Sequence, residues 1–409
     1  MKRGTSGHAS AAPPAKAAEL HQAPGDEGCN RPRSRPLYLG WPGRRPAMTK
    51  RLSLLLSKAI VLILTINSCM AQETSQPGAN SFAPLFSYIG DYPLGTTTDR
   101  IDYQSVDAAA RRIYIAKMGA EQLLSFDLEQ ERLAATLDNF PKVTGVLVVP
   151  ELHKVYASVP GAGLIPSLHV ALGIVGLSAG RGAVAVLDAG NLHEITRLPG
   201  GVFPDGIAYD PKDRKVFVSD EFGTAVLVIN ADKDQMIARI DIGGEAGNVR
   251  YDPQTSKVYV AVQSKNALAM IDPATNTFVK RYELVGADHP HGLIIAPGKA
   301  IGYVACDGND RLLTIDLTTG KVLARNAIAR DPDVLAVDPG ARRLYVAGEG
   351  GDLSSLDITD PASPRSMGDT FIGKGAHSVA VDSATHRLYL PLADVNGQAV
   401  LRILVAKPE

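Results

Sequence analysis

The sequence predicts an all-β fold: a seven-bladed β-propeller with four antiparallel strands per blade, the last blade closed by the N-terminal strand. Three observations carry that expectation. An apolar strand, a polar turn and a second strand centred on an aromatic residue return seven times from residue 101 onward. The aromatic anchors Tyr114, Tyr156, Phe217, Tyr259, Tyr303, Tyr345 and Tyr389 are spaced 42, 61, 42, 44, 42 and 44 residues apart, a period that marks one supersecondary unit per repeat. Finally, the chain ends on a third strand, "AVLRILVAKPE", while "PLFSYIGDYPLG" ahead of the first repeat reads as an orphan fourth strand.

Taken in order, residues 1–47 are rich in Pro, Ala, Gly and Arg without periodicity. They read as a disordered tail or as the product of a start codon placed too far upstream. From Met48, "MTKRLSLLLSKAIVLILTINSCMAQ" supplies a basic region, an apolar run and small residues before a cut, so residues 48–71 are expected to be a signal peptide. The apolar run is too short for a comfortable membrane span. Two processing routes are open: cleavage after Ala71, or lipidation of Cys69 within "INSC". Either route places the protein in the periplasm or outside the cell, with a lipid at Cys69 as its sole membrane anchor. Residues 72–84 read as a linker, and residues 85–409 as the propeller, expected to act as a monomer.

Within each repeat the alternation of apolar and polar residues implies strands. Copies such as "GIAYDPKDRKVFVS" and "NVRYDPQTSKVYVA" give the first two. A third follows about 13 residues past the anchor and ends in Asp or Asn in most copies, as in "VLVINA" and "LLTIDL". That terminal residue reads as a turn former. A fourth strand such as "MIARIDIGG" completes the unit. Closing seven such units into a ring removes the open edges a linear stack would leave.

Composition narrows the function. Residues 72–409 hold 31 Lys/Arg against 40 Asp/Glu, a net charge of −9, and contain no tryptophan. Nucleic-acid binding rests on neutralising phosphates, so an acidic body argues against it. Of the three cysteines, Cys29 and Cys69 precede the propeller, leaving Cys306 without a disulfide partner. It reads as a buried structural thiol in preference to a nucleophile. No P-loop, HExxH, CxxC or CxxCH occurs in this region, so nucleotide cradles, zincin sites and covalent haem lack support.

The copies "SKVYVAVQSKNALAMIDPATNTFVKRYELV" and "RKVFVSDEFGTAVLVINADKDQMIARIDI" resemble the YVTN-repeat propellers of the YncE-like kind, a likeness that spans residues 85–409. The resemblance implies the seven-bladed ring, in the broad WD40-like class though without WD dipeptides. It does not settle activity, because related propellers include lactonases, surface-layer proteins and haem-binding domains. It also brings in single-stranded DNA binding, which the charge and the missing tryptophan oppose.

Aligning the copies on their anchors places one residue per blade around the mouth of the central channel, on the face we call the top: Asp102, Thr144, Asp205, Gly247, His291, Asp333 and His377. A second set, four residues past each anchor, contributes Glu221, Gln263, Asp307 and Glu349 on blades three to six. His289 lies two residues further out than His291. These ten, Asp102, Asp205, Glu221, Gln263, His289, His291, Asp307, Asp333, Glu349 and His377, are the candidate ligand-binding residues. Carboxylates and imidazoles from different blades suit a divalent metal ion, with Asp205, His291, Asp333 and His377 as its expected ligands. The alternative is a wet, unspecialised channel mouth.

The spacing of 61 locates an insertion of 19 residues in the top loop of blade two, within 159–182. Its apolar, glycine-rich sequence, which includes His169, reads as a lid or a docking surface for a partner protein. The leading expectation is an exported propeller that binds a small polar ligand, a metal ion or a partner protein on its top face without catalysis. The alternative is a metal-dependent, lactonase-like hydrolase with Glu221 as base.

Overall fold

A computed structural model describes residue 82, residues 84–161 and residues 182–408. The leader, Cys69, most of the 72–84 linker and residues 162–181 of the insertion, His169 included, lie outside the described residues. The described chain forms seven four-stranded antiparallel sheets, the blades of a propeller. Inner strands run Gln104–Asp107, Val146–Val149, Pro204–Asp210, Ala246–Asp252, Pro290–Ile295, Pro332–Asp338 and Ala380–Asp382. Each blade then proceeds outward in chain order. In blade seven the outermost position is taken by Phe86–Pro93, paired antiparallel with Gln398–Ala406.

The anchors explain the cohesion. Each lies in the second strand of its blade and is at most 1% exposed. A buried tyrosine must place its hydroxyl, and several do so on the next blade: Tyr114 donates to the carbonyl of Ala189 at 2.9 Å, Tyr259 to Leu317 at 3.0 Å and Tyr303 to Pro361 at 3.0 Å. Thus in blades one, four and five the anchor both fills a core and bonds the neighbouring blade's lower turn. The aspartates that end the third strands act as turn formers. Asp188 accepts the amides of Gly190 and Asn191, and Asp316 those of Thr318 and Thr319.

Phe82, inside the stretch read as linker, is fully buried and stacks on Tyr88 at 5.7 Å. Cys306 is likewise fully buried, and burial pushes its thiol up to about 12. Thiolate is the reactive form. Native protein is therefore expected to leave Cys306 unmodified by iodoacetamide, with alkylation appearing only on unfolding, as peptide mass spectrometry can read.

Candidate functional site

The top of the channel is shaped by a recurrent irregularity. In blades three to six the pairing of inner and second strands shifts register between Pro204 and Ile207, Ala246 and Val249, Pro290 and Gly292, and Pro332 and Leu335. An extra residue of this kind bends a strand and re-aims its side chains. Asp205, His291 and Asp333 sit inside these shifts and line the channel mouth. Glycine permits the inner strands to meet: a Cβ on Gly145 would lie 2.0 Å from the carbonyl oxygen of Asp205, and one on Gly292 2.1 Å from that of Asp333.

The side chains so gathered form a continuous polar chain across six blades. Glu221 accepts the Gln263 amide at 2.8 Å, and Gln263 Oε1 accepts from His291 Nδ1 at 3.0 Å. His291 Nε2 stands 3.3 Å from Asp333 Oδ1, whose other oxygen is 2.9 Å from His377 Nε2. His377 Nε2 also contacts Asp102 Oδ1, and its Nδ1 reaches Glu349 at 3.0 Å. Arg100 bridges Glu349 at 3.0 Å and faces His377 Nε2 at 3.1 Å. Tyr103 crosses the channel from blade one: its hydroxyl takes the Asn248 amide at 2.6 Å and lies 3.0 Å from His291 Nε2.

Burial and charge pull these groups in opposite directions. Burial drives Asp205 up to about 8, with His291 offsetting only part of the rise. Glu221 is raised for the same reason. For Asp333 burial also pushes upward, but His377 and His291 outweigh it and hold the carboxyl well below its ordinary range. Conversely, burial lowers His377 and His291, yet the carboxylates led by Asp333 raise both above the usual histidine value. The surrounding carboxylates thus favour the charged form of both imidazoles. Asp205 Oδ2 is buried without a hydrogen-bond partner, 3.9 Å from His291 Nε2.

A cavity of about 540 Å³ opens above this floor. Nine of the ten candidate residues line it, and His377 lies just behind at 4% exposure. Phe203 and Phe222, edge to face at 5.2 Å, give it an aromatic wall on the blade-three side. His289 and Asp307 pair with each other at 2.6 Å on the rim, both more than a third exposed. Thr144 turns aside to donate to the Pro204 carbonyl at 2.9 Å.

The expected metal set separates. Among the described residues, the donors able to reach one ion are Asp102, Asp333 and His377, whose ligand atoms lie within 4.8 Å of one another. Ring closure is the reason: blades one, six and seven are consecutive, whereas Asp205 stands on blade three and His291 Nδ1 is engaged by Gln263. Of the four expected ligands, Asp333 and His377 stand in this group together with Asp102, and Asp205 and His291 stand outside it.

Sequence reasoning missed Arg100, Tyr103 and Asn248. Two of these had a signal. The column one residue past the ring reads Tyr103, Gly145, Gly206, Asn248, Gly292, Val334 and Ser378, so Tyr103 and Asn248 are the large polar exceptions. It also missed "GLSAG", Gly176 to Gly180, which has the GxSxG spacing of a nucleophile elbow but lies outside the described residues.

This architecture defines the class of protein, a seven-bladed β-propeller with a polar top site, and solved structures agree on the fold. The chain is similar to Kuenenia stuttgartiensis hydrazine synthase at a TM-score of 0.60 and 14% identity, covering 81% of this chain and 98% of that one. It is similar to U3-55K at 0.63 and 8% identity, covering 78% and 98%. The RRP9 WD40 repeats match at 0.63 and 8% identity, covering 79% and 100%. No family model and no curated protein matches the sequence.

Proposed function

We propose that the protein is an exported propeller of the YVTN-repeat, YncE-like kind whose channel mouth binds a divalent cation, and with it a small polar ligand, without catalysis of its own. One observation carries the reading: Asp102, Asp333 and His377 converge from three blades with their donor atoms within 4.8 Å. Two carboxylates and an imidazole suit a first-row divalent ion such as Mn²⁺ or Zn²⁺. Further support comes from His377 Nε2, which faces two carboxylates and the Arg100 guanidinium, more partners than one ring nitrogen can satisfy. Arg100 is half exposed and can swing toward solvent. The remaining cavity, with its Phe203–Phe222 wall, has the size of a small-molecule site.

Elemental analysis and thermal unfolding test this. Mn²⁺ or Zn²⁺ at about 100 times its Kd is expected to stabilise the protein by about 2.7 kcal/mol, and both Asp333→Asn and His377→Ala are expected to abolish the shift. Absence of bound metal together with no shift for Ca²⁺, Mn²⁺ or Zn²⁺ would leave only the docking of a partner protein on this face.

A second reading, a metal-dependent lactonase-like hydrolase, draws on the opposed shifts of Glu221 and Asp333 within one cavity, a pattern found where acid and base roles are divided. Glu221 is its candidate base. Lactone hydrolysis lost in Glu221→Gln with cation binding kept would favour this reading over the first.

A further inference from the structure

A second cavity, of about 640 Å³, occupies the lower half of the central channel and reaches the lower face at Pro150 and Glu151. Its walls are the inner strands. At the level of the anchors each inner strand offers one residue, identified by its pairing partner: Ser105 opposite Tyr114, Leu147 opposite Tyr156, Ala208 opposite Phe217, Ile294 opposite Tyr303, Ala336 opposite Tyr345 and Ala380 opposite Tyr389. The seventh member of this ring is Arg250, opposite Tyr259. Six positions are small or apolar and one is a guanidinium.

Arg250 is poorly served by the protein. It carries five N–H donors and finds two acceptors, the Val249 carbonyl at 2.8 Å and Asn248 Oδ1 at 3.2 Å. Among the described residues no carboxylate lies within ion-pair distance of it. Burial lowers its basicity, opposed in part by Tyr103 and Asp205. The other charged wall residue, Glu151, is on the exposed rim, where it accepts the Tyr209 hydroxyl at 2.6 Å. Above Arg250 the Asn248 amide bonds the Tyr103 hydroxyl, and Tyr103 borders both this cavity and the top one.

We propose that the lower channel is a second binding site, for a small carboxylate with an apolar body, whose carboxylate pairs with Arg250 while its chain or ring lies against the inner-strand side chains. Charge complementarity selects the head group, because a partly buried guanidinium with spare donors and no carboxylate within ion-pair distance gains from an entering anion. Arginine presents two parallel N–H groups to a carboxylate. The apolar wall selects the body: it includes Val106, Leu147, Ile207, Ile294, Leu335 and Val381. The volume falls within the range of small-ligand pockets. A neutral ligand of the same shape would gain the wall and forgo the ion pair.

Decanoate and 1-decanol form the matched probe pair. Calorimetric titration of the full chain is expected to show decanoate binding with 1:1 stoichiometry and 1-decanol binding about tenfold more weakly, the margin a hydrogen bond to a charged group supplies. In Arg250→Met the preference should vanish through loss of decanoate affinity, with 1-decanol binding retained; Arg250→Lys should keep a reduced preference. Removal of divalent ions with a chelator, which empties the top site, should leave both affinities unchanged, so failure of the cation site and failure of this site are distinguishable. The proposal is overturned if wild-type protein binds neither probe, or binds both equally. If Arg250→Met does not fold, the wild-type comparison and Arg250→Lys still decide.

Discussion

Arg402→Met is expected to destabilise the propeller by about 3–5 kcal/mol, the range for removing one partner of a buried ion pair. Arg402 sits in the strand Gln398–Ala406 and is 2% exposed. Its Nε and Nη2 donate to the two oxygens of Asp91 at 2.7 and 2.6 Å, and Nη1 donates to the Ile372 carbonyl at 2.5 Å. The guanidinium also lies over the rings of Phe82 and Tyr88, at 5.3 and 5.9 Å. One side chain thus joins the N-terminal strand, the C-terminal strand and the exit of blade six. Methionine preserves much of the stem's packing but strands the Asp91 carboxylate, which is only 19% exposed. Guanidinium chloride unfolding measures the loss. The double variant Arg402→Met/Asp91→Leu should recover part of it, since a buried pair replaced whole by apolar groups is often neutral. A single variant within about 1 kcal/mol of wild type would show that the closure of blade seven does not depend on this pair.

That closure shows how far the sequence could be read. The seven anchors were legible because a large aromatic at one point of a repeat has one use, filling the space between blades, and it returns in register. The ring of Asp102, Asp205, His291, Asp333 and His377 was legible for the same reason: a column that repeats inherits one place in space. What lies outside the repeat was not legible. Arg100 and Phe82 precede the first copy and have no equivalents to align with. The partnership of Asp91 with Arg402 spans 311 residues, and nothing in "AVLRILVA" distinguishes a buried arginine from one on a solvent face. The grouping of Asp102 with Asp333 and His377 was hidden for a related reason. A column gives the height of a side chain in the channel but not which blades its tip reaches, and only the closed ring brings Asp102 beside His377. Tyr103 and Asn248 were hidden in a column dominated by small residues, where packing, not chemistry, sets the usual choice.

In protein freed of divalent ions by a chelator, stability is expected to fall as pH rises from about 6.5 to 9, and Asp333→Asn should remove much of that slope. The sign follows from which state holds protons more tightly. His377 and His291 are raised in the folded protein, so their contribution is whole below about pH 6.5, where the unfolded chain is also protonated, and is lost as pH climbs through their folded values. Asp333 is depressed; its contribution is present above about pH 4 and is lost only in stronger acid. Asp205 adds to the alkaline loss, because the folded protein keeps its proton to about pH 8 while the unfolded chain releases it near pH 4, at a cost of at most about 1.4 kcal/mol per pH unit. Replacing Asp333 with Asn removes the carboxylate that faces both imidazoles, so both histidines fall back toward their ordinary values. The variant should lose about 2–4 kcal/mol near pH 6, as expected when a buried charge network is broken, and retain chiefly the Asp205 slope above it. Denaturant unfolding of wild type and variant from pH 5 to 9 reads both effects; equal slopes would mean that Asp333 does not hold the two imidazolium charges. Saturating Mn²⁺ should oppose the wild-type loss, because an imidazole must shed its proton to ligate and cation affinity therefore rises with pH. In Asp333→Asn, with one donor of the three converted to an amide, that alkaline rescue should disappear, which ties the proton linkage and the cation site to the same carboxylate.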